Sequence, residues 1–506
     1  MTKGLLTVPM CDISRILSIK DRMNYEEELI LPDYFPDIER VVFLKSRSAV
    51  SSVSFAENEI SVSGLTFLNL CCESEDKKLQ STEFSIPFRK IFPMKEALCE
   101  PLGFCRAQSD SISYKLISKR RLDVRGAFSL DGEVIELKEE KIVEKSEDPH
   151  IITDEEKVKY LVPYDCINEI ISSSEEFLLP ENKPLPGEIL DAEVTVSPEK
   201  CFFKDGSLIF KGSVFLHALY TPQEDGGSIE SFDTVFPISK EWDGLELEEG
   251  FIIKPVTEPL SISLTKSQEV IKEDGELLFE GEISCKMIVL APSERLLARD
   301  GFSTSCEYEK EEAVLSILKS EKDFIEEAEA AGEIPAPSDM RETVAFSSYI
   351  QNISIENENG KTAFCDVRFD VIFKNAENKL SSLGHTLRCS IPLFKEEDKQ
   401  LIFAFGNTKG VNTSLYNGKL RLFSKISVYG FCLKAEDESF LKDIKLFEDR
   451  KLSKNSDYSM IIYYADKDDK LWDIGRKYKV DPKRIKEENS LKEDFFKERT
   501  PLIIPL

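Results

Sequence analysis

Three stretches of the chain alternate apolar and polar residues in the same way around a common position. Such alternation buries one face of a β-strand and leaves the other in water. The copies are centred on Gly64, Gly212 and Cys365, which lie 148 and 153 residues apart. That spacing far exceeds the roughly 20 to 50 residues of solenoid or propeller repeats. The pattern therefore predicts three repeated domains that are mainly β.

Two more features follow each of these positions at similar distances. The first is a proline in an apolar setting, which suits the end or edge of a sheet because proline cannot donate a backbone hydrogen bond. The second is another alternating strand. The prolines are Pro87, Pro237 and Pro392, and the second strands begin at Leu122, Leu277 and Leu420. Each unit is therefore expected to contain two related halves, built as small antiparallel sheets or sandwiches.

The composition changes between these units. Residues 141–175 are rich in Glu and Lys, and Glu309 to Ala331 has the composition of an acidic helix that ends at Gly332. We therefore expect charged helical connectors between the β units. The predicted division is an N-terminal segment 1–25, unit 1 at 26–140, a charged connector at 141–180, unit 2 at 181–295, an acidic helical connector at 296–345, unit 3 at 346–435, a linker at 436–458 and a final module at 459–506.

The final module has a pattern of its own. Residues 460–464 are typical of a strand, and Asp468 or Asp469 is placed to cap a helix that runs to Tyr478. Pro482, after Asp481 as its N-cap, predicts the start of a second helix, and residues 502–505 predict a closing strand. The expected order is βααβ. The expected core residues are Leu471, Ile474, Ile485, Leu491 and Ile503.

These residues resemble the LysM family in order and spacing. The matching positions are Tyr464, Asp469, Leu471, Trp472, Asp473, Ile474, Tyr478, Ile485, Asn489 and Leu502 to Pro505. The departures are Asp468 and Lys470 in place of Gly and Thr, Gly475 in place of Ala, and Glu498-Arg499 in place of Pro-Gly. The first departure falls in a loop by which LysM modules hold N-acetylglucosamine chains. The resemblance implies a binding surface made of Asp469, Lys470, Trp472, Asp473 and Asn489.

The upstream units resemble SPOCS domains of spore-coat-associated proteins. Leu29 to Arg40 is similar to the Leu-Pro then Pro-Asp-Ile entry of that family. Three such units followed by one LysM module resemble clostridial spore-coat morphogenesis proteins. That resemblance implies a non-enzymatic adaptor in the mother-cell cytoplasm, at the forespore surface or spore coat. Its LysM module would bind the basement-layer ATPase of the coat and so tether coat to forespore.

The charge of the chain limits its partners. Sixty-six Lys and Arg against 94 Asp and Glu give a net charge of −28, which repels phosphate backbones and predicts no nucleic-acid partner. Residues 459–506 carry a net charge of +1, so the rest of the chain carries −29 and the module is electrostatically distinct.

No run approaches the roughly 18 apolar residues of a transmembrane helix, and no signal peptide is expected. A protein target is therefore favoured over glycan, with peptidoglycan of the cell wall or spore cortex as the alternative.

Signs of catalysis are few. The chain has no phosphate-binding loop, dinucleotide fingerprint, His-Glu-x-x-His or Gly-x-Ser-x-Gly motif. The 12 scattered cysteines predict reduced thiols rather than a zinc site or a disulfide framework. We expect no cofactor, no metal and no enzymatic activity. The enzyme alternative is a glycan hydrolase targeted by a LysM module, for which no catalytic pair can be named.

Overall fold

The computed structural model describes residues 4–266, 276–357, 360–394, 400–452 and 460–505. Within these ranges the chain forms twenty strands and two short helices. All strand pairs are antiparallel, and the sheets have two or three strands, except for one sheet of six strands. The prediction of a mainly β chain is confirmed. Neither of the two described helices is long and apolar enough to cross a membrane.

The first eighteen strands repeat one arrangement three times. In each run of six, the second, third and fourth strands form one sheet, and the first, sixth and fifth form another. Repeat 1 contains β1 (Leu5–Ile30), β2 (Ile38–Ala56), β3 (Glu59–Ser74), β4 (Leu79–Pro93), β5 (Pro101–Ser118) and β6 (Arg121–Ser146). Repeat 2 contains β7 (Ile151–Leu178), β8 (Pro186–Lys204), β9 (Ser207–Pro222), β10 (Glu230–Asp243), β11 (Ile252–Lys266) and β12 (Glu276–Ser303). Repeat 3 contains β13 (Cys306–Pro335), β14 (Met340–Asn357), β15 (Lys361–Asn375), β16 (Leu380–Phe394), β17 (Gln400–Tyr416) and β18 (Lys419–Lys451).

The alternating segments of the sequence are the central strands of these sheets. Gly64, Gly212 and Cys365 lie in β3, β9 and β15, each the middle strand of three. The second alternating set forms β6, β12 and β18, which are paired on both sides. The three prolines lie in β4, β10 and β16, which are edge strands as predicted. A side chain at Gly64 would collide with the Phe88 ring and the Ala49 carbonyl oxygen, which explains the glycine there.

The two sheets of a repeat pack their apolar faces together. In repeat 2, Phe210 and Val214 of β9 share one buried cluster with Phe279 and Ile283 of β12. In repeat 3, Phe369 of β15 belongs to a cluster that also contains residues of β18. Alternation places these side chains on one face of each strand, so that each repeat is a two-sheet sandwich with its own core.

Other clusters join the repeats to each other. One cluster contains residues of all three repeats. Its members include Ile13, Phe104, Ile135, Val256, Ile288, Leu290, Phe403, Phe431 and Leu433. A second also draws on all three, including Phe43, Leu219 and Ile372. The second sheets of repeats 2 and 3 meet where Leu318 pairs with Leu161, which gives the six-stranded sheet. We call the three repeats together the body.

The predicted helical connectors are wrong. Glu309 to Ala331 lies within β13, which pairs with β18 along its length. Residues 141–146 end β6, residues 151–178 form β7, and the N-terminal segment 1–25 contributes most of β1. In the predicted linker, residues 436–451 continue β18, and residues 453–458 lie outside the described part of the chain. Pairing with neighbouring strands overrides the helix preference of Glu, Lys and Ala here.

Residues 460–505 form the predicted βααβ order. The elements are β19 (Met460–Ala465), α1 (Leu471–Tyr478), α2 (Pro482–Glu488) and β20 (Thr500–Pro505). Asp481 caps α2 by accepting a hydrogen bond from the Lys483 amide at 2.9 Å, as predicted. The N-cap position of α1 is Lys470, which makes no side-chain cap bond, so the expected aspartate cap is wrong. We call residues 460–505 the module.

The module has one small core. Leu471, Ile474 and Ile485 are buried in it as predicted, and Leu491 packs at its edge. Ile503 is 36% exposed, so its placement in the core was wrong. The error is one of register, because β20 turns Leu502 and Ile504 inward and the residue between them must point outward.

Candidate functional site: the module and its contact with the body

The module packs against the body through α1. The Trp472 indole nitrogen donates a hydrogen bond to Asp300 Oδ2 at 3.0 Å, and Arg476 Nη1 donates to the same oxygen at 2.5 Å. The Trp472 ring meets Phe302 edge to face, with 5.1 Å between centroids. Polar and aromatic contacts therefore converge on the carboxyl end of β12.

Asp300 is the anchor of this contact. It follows a register shift between β12 and β7, and its side chain is 14% exposed. Its other oxygen accepts from the Gly301 amide at 2.8 Å and from Lys310 Nζ at 3.0 Å. Burial alone would raise the pKa of Asp300, but the hydrogen bonds from Trp472, Lys310 and Gly301 outweigh it and lower the pKa. Asp300 is therefore ionised when it holds the module.

Basic residues at both ends of α1 also lie near the body. Lys479 Nζ lies 4.6 Å from the centroid of the Tyr308 ring and 3.4 Å from its hydroxyl oxygen. Burial and the neighbouring Asp300 raise the pKa of Asp154, whereas the charge of Lys470 lowers it. The acidic end of the β7–β12 pair thus meets a row of cations on the module.

Two of the predicted binding residues have internal partners. Asp469 Oδ2 accepts from the Asp466 amide at 2.9 Å and from the Tyr463 hydroxyl at 3.2 Å, which shapes the loop before α1. Asn489 donates to the carbonyl oxygens of Ile485 and Ile503 and accepts from the Ile503 amide at 2.7 Å. Asn489 therefore ties the end of α2 to β20.

The remaining predicted residues lie around the start of α1. Trp472 is half-buried against the body, whereas Lys470 and Asp473 are exposed. Asp473 accepts from Arg476 at 2.8 Å. Lys470 forms an isolated β-bridge with Phe495, which brings the loop before α1 beside the loop before β20. The five predicted residues therefore do not share one free surface.

The module has an exposed apolar face that we did not predict from the sequence. Met460, Ile462 and Tyr464 of β19 are 53%, 64% and 55% exposed, and Ile503 pairs with Ile462 on β20. We call these four residues the apolar strand face. Alternation within residues 460–464 was the available signal, because the residues between them face the helices. This face lies on the strands, whereas the body contacts the module through α1.

The described residues offer little for metal or redox chemistry. No group of three or more His, Cys, Asp or Glu side chains among them is placed to hold a metal ion. All 12 cysteines are described and none forms a disulfide. Burial raises the pKa of the Cys72 and Cys105 thiols to about 12, which disfavours the reactive thiolate.

Comparison with known proteins gives no match. No family model, no curated protein and no solved structure matches the chain. The resemblances to LysM and SPOCS domains therefore depend on the motif residues of this sequence alone.

Proposed function

We propose that the protein is a non-enzymatic adaptor of spore coat assembly, a SPOCS-like body with a LysM-like module. The proposed partner of the module is the basement-layer ATPase of the coat, at the forespore surface in the mother cell. The observation that carries this proposal is the apolar strand face. Large apolar side chains grouped on a small exposed sheet are typical of a protein contact.

The position of the module supports the same function. Its helix α1 is held on the acidic body through Asp300, while β19 and β20 remain exposed. Residues 459–506 carry a net charge of +1 and residues 1–458 carry −29, so the module can approach a surface that repels the rest of the chain. This arrangement suits an adaptor in which the module, and not the body, binds the basement-layer ATPase.

The test is binding of the purified full-length chain to the purified basement-layer ATPase. Ile462→Ser should weaken binding by about tenfold or more, because it removes a large apolar side chain from the proposed contact. Ile325→Ser is the matched control, since Ile325 is a 73% exposed strand residue of the body. Equal affinities of the two variants and the unchanged chain would remove the apolar strand face from the proposal.

One observation favours the alternative, binding of peptidoglycan. Phe495 is 52% exposed and bridges Lys470 in the loop that corresponds to the LysM glycan loop. An exposed aromatic ring can pack against a sugar. The chain should then sediment with purified peptidoglycan, be released by chitooligosaccharides, and lose this behaviour in Phe495→Ala. No sedimentation of the unchanged chain would exclude this alternative.

A further inference from the structure

A large cavity of the body lies between the three small sheets, one from each repeat. Its volume is about 890 Å³, within the range of small-molecule sites in proteins. Strands β2, β8 and β14 contribute to its wall together with β17. It is separate from the module, which is not part of its lining.

The wall is built from the faces of these sheets that point away from the sandwich cores. In repeat 2, Glu193, His217 and Asp233 are cross-strand neighbours on β8, β9 and β10. Thr195 and Phe215 are the next such pair on the same face. The interleaved residues, such as Leu216, belong to the core of the sandwich. Polar groups thus converge on one partly open cavity because three repeats turn the same face toward it.

The charges of this wall compensate one another. Four Lys or Arg residues and four Asp or Glu residues line the cavity, so their formal charges sum to zero when His217 is counted as neutral. Lys45 Nζ lies 2.7 Å from Asp191 and 2.5 Å from Glu193. Arg47 donates to the Pro259 carbonyl oxygen at 2.7 Å and stacks on the Phe67 ring. The main cations therefore already have partners, and the site provides no net charge to attract an ion.

Two polar atoms of the wall have no partner among the described residues. Asn407 is only 5% exposed, and its Oδ1 atom is buried without a hydrogen bond. His217 donates through Nδ1 to the Asp233 carboxylate at 2.7 Å, but its Nε2 atom is buried and has no hydrogen-bond partner among the described residues. A buried polar atom without a partner is costly, so each marks a place where a ligand group could bind. Apolar rings of Phe67, Phe215 and Phe346 line the same space.

We propose that this cavity binds an uncharged amphipathic small molecule with an aromatic or other apolar body and a hydrogen-bond donor. The donor would be satisfied by Asn407 Oδ1, and a second polar group of the ligand by His217 Nε2. The aromatic rings would cover its apolar part. Compensated wall charges disfavour an ionic ligand, since a buried unpaired charge is expensive.

The test uses two fluorescent probes that share one skeleton. N-phenylnaphthylamine is uncharged and has one N–H donor, and anilinonaphthalene sulfonate adds a negative charge. Titration of the full chain should show saturable binding of the uncharged probe at one site and binding of the sulfonate more than about tenfold weaker. Absence of saturable binding, or equal affinity for the two probes, would overturn the proposal.

Two variants locate the binding. Thr195→Trp places a large ring on the cavity wall and should weaken N-phenylnaphthylamine binding about tenfold or more. Ser263→Trp is the matched control, because Ser263 is exposed on β11 outside the cavity. Circular dichroism should show that both variants are folded. Unchanged affinity in folded Thr195→Trp would place the probe elsewhere and overturn the proposal.

Asn407→Leu tests the hydrogen bond separately. It keeps the side-chain size while removing the acceptor, and should weaken N-phenylnaphthylamine about fivefold. The N-methylated probe, which has no donor, should bind the variant and the unchanged chain equally. Asn412→Leu, at an exposed position of β17, is the control. Full affinity of Asn407→Leu for the N–H probe would contradict the assigned role of Asn407.

Discussion

Trp472 has a structural role in this molecule, although the LysM resemblance places it at a binding surface. Its ring packs on Phe302 and its indole nitrogen donates a hydrogen bond to Asp300, so it joins the module to the body. Any loss of partner binding after its substitution would therefore combine two effects. A substitution on the body side of the contact separates them, because it leaves the module itself unchanged.

Asp300→Asn is the substitution we would use. The variant keeps an oxygen for Trp472 but loses the charge that holds Arg476 and Lys310. We expect the module to separate from the body, with Trp472 fluorescence shifted to the red. The measurement uses a Trp242→Phe background, which leaves Trp472 as the one tryptophan of the two in the chain. An unshifted spectrum would contradict the anchoring role of Asp300.

The same contact should depend on pH. The pKa of Asp300 is lowered below its ordinary value of 3.8, so its contribution to docking is complete above that value. It is lost as the pH falls through the lowered pKa, when the carboxylate binds a proton. The red shift of Trp472 in the single-tryptophan chain should therefore appear only below about pH 4. In Asp300→Asn it should be present at neutral pH.

Thiol reactivity should follow burial. Cys99 is the exposed cysteine of the 12, and burial raises the pKa of thiols such as Cys72 and Cys105 to about 12. A thiol reagent added to the native chain should therefore react first with Cys99. Cys99→Ser should remove this fast phase, whereas all thiols should react in denaturant. A fast phase that survives the substitution would show that another thiol is accessible.

Strand β13 shows how an element can be misassigned from composition. Its residues include many Glu, Lys and Ala, which favour helix in isolation. In the folded chain it lies between β7 and β18, and its acidic side chains point to solvent or to nearby cations. The short apolar run Val314 to Leu318 carries the information about burial, but it is too short to distinguish helix from strand.

Alanine substitutions in this run distinguish the two structures. Leu315 and Ile317 are each 1% exposed, as expected for alternate residues of a strand, and would lie on opposite sides of a helix. Each substitution to Ala should lower the free energy of unfolding by about 2 to 5 kcal/mol. Val314→Ala, at a 67% exposed position, should change it by less than about 0.5 kcal/mol. Denaturant titration measures all three, and a neutral Leu315→Ala or Ile317→Ala would contradict the strand.

The body holds together through contacts that cross its repeats. Lys45 of repeat 1 binds Asp191 and Glu193 of repeat 2 and lies 3.2 Å from Ser347 of repeat 3. Burial alone would lower the pKa of Lys45, but the charges of Asp191, Glu193 and Asp370 outweigh it and raise the pKa. Lys45 therefore remains charged at the junction of the three repeats.

Lys45→Met should destabilise the whole body. Removing one partner of a buried ionic cluster leaves carboxylates without compensation and costs about 3 to 5 kcal/mol. Lys157→Met is the control, because Lys157 pairs with Glu294 on the surface and should change the free energy of unfolding by less than about 1 kcal/mol. Thermal or denaturant unfolding should show one shifted transition. A separate transition for one repeat would contradict a body that folds as a unit.

Sequence alone was sufficient for features that are repeated locally. Alternation located the central strands around Gly64, Gly212 and Cys365, and the prolines located edge strands. The same alternation puts His217 on the face of its strand opposite the apolar side chains, where it lines the cavity. The βααβ order of the module followed from its helix and strand signals. These succeed because a period of two or a cap depends on neighbours a few residues away.

Contacts between distant segments determined the parts of the structure that the sequence did not predict. Alternation shows that one face of a strand is buried but not what covers it, so the shared cores of the body were not predictable. The same reason explains why charged segments such as β13 became strands and why α1 of the module faces Asp300. The cavity exists because three distant polar faces meet. Contacts between residues a hundred or more positions apart leave no periodic trace in a single sequence.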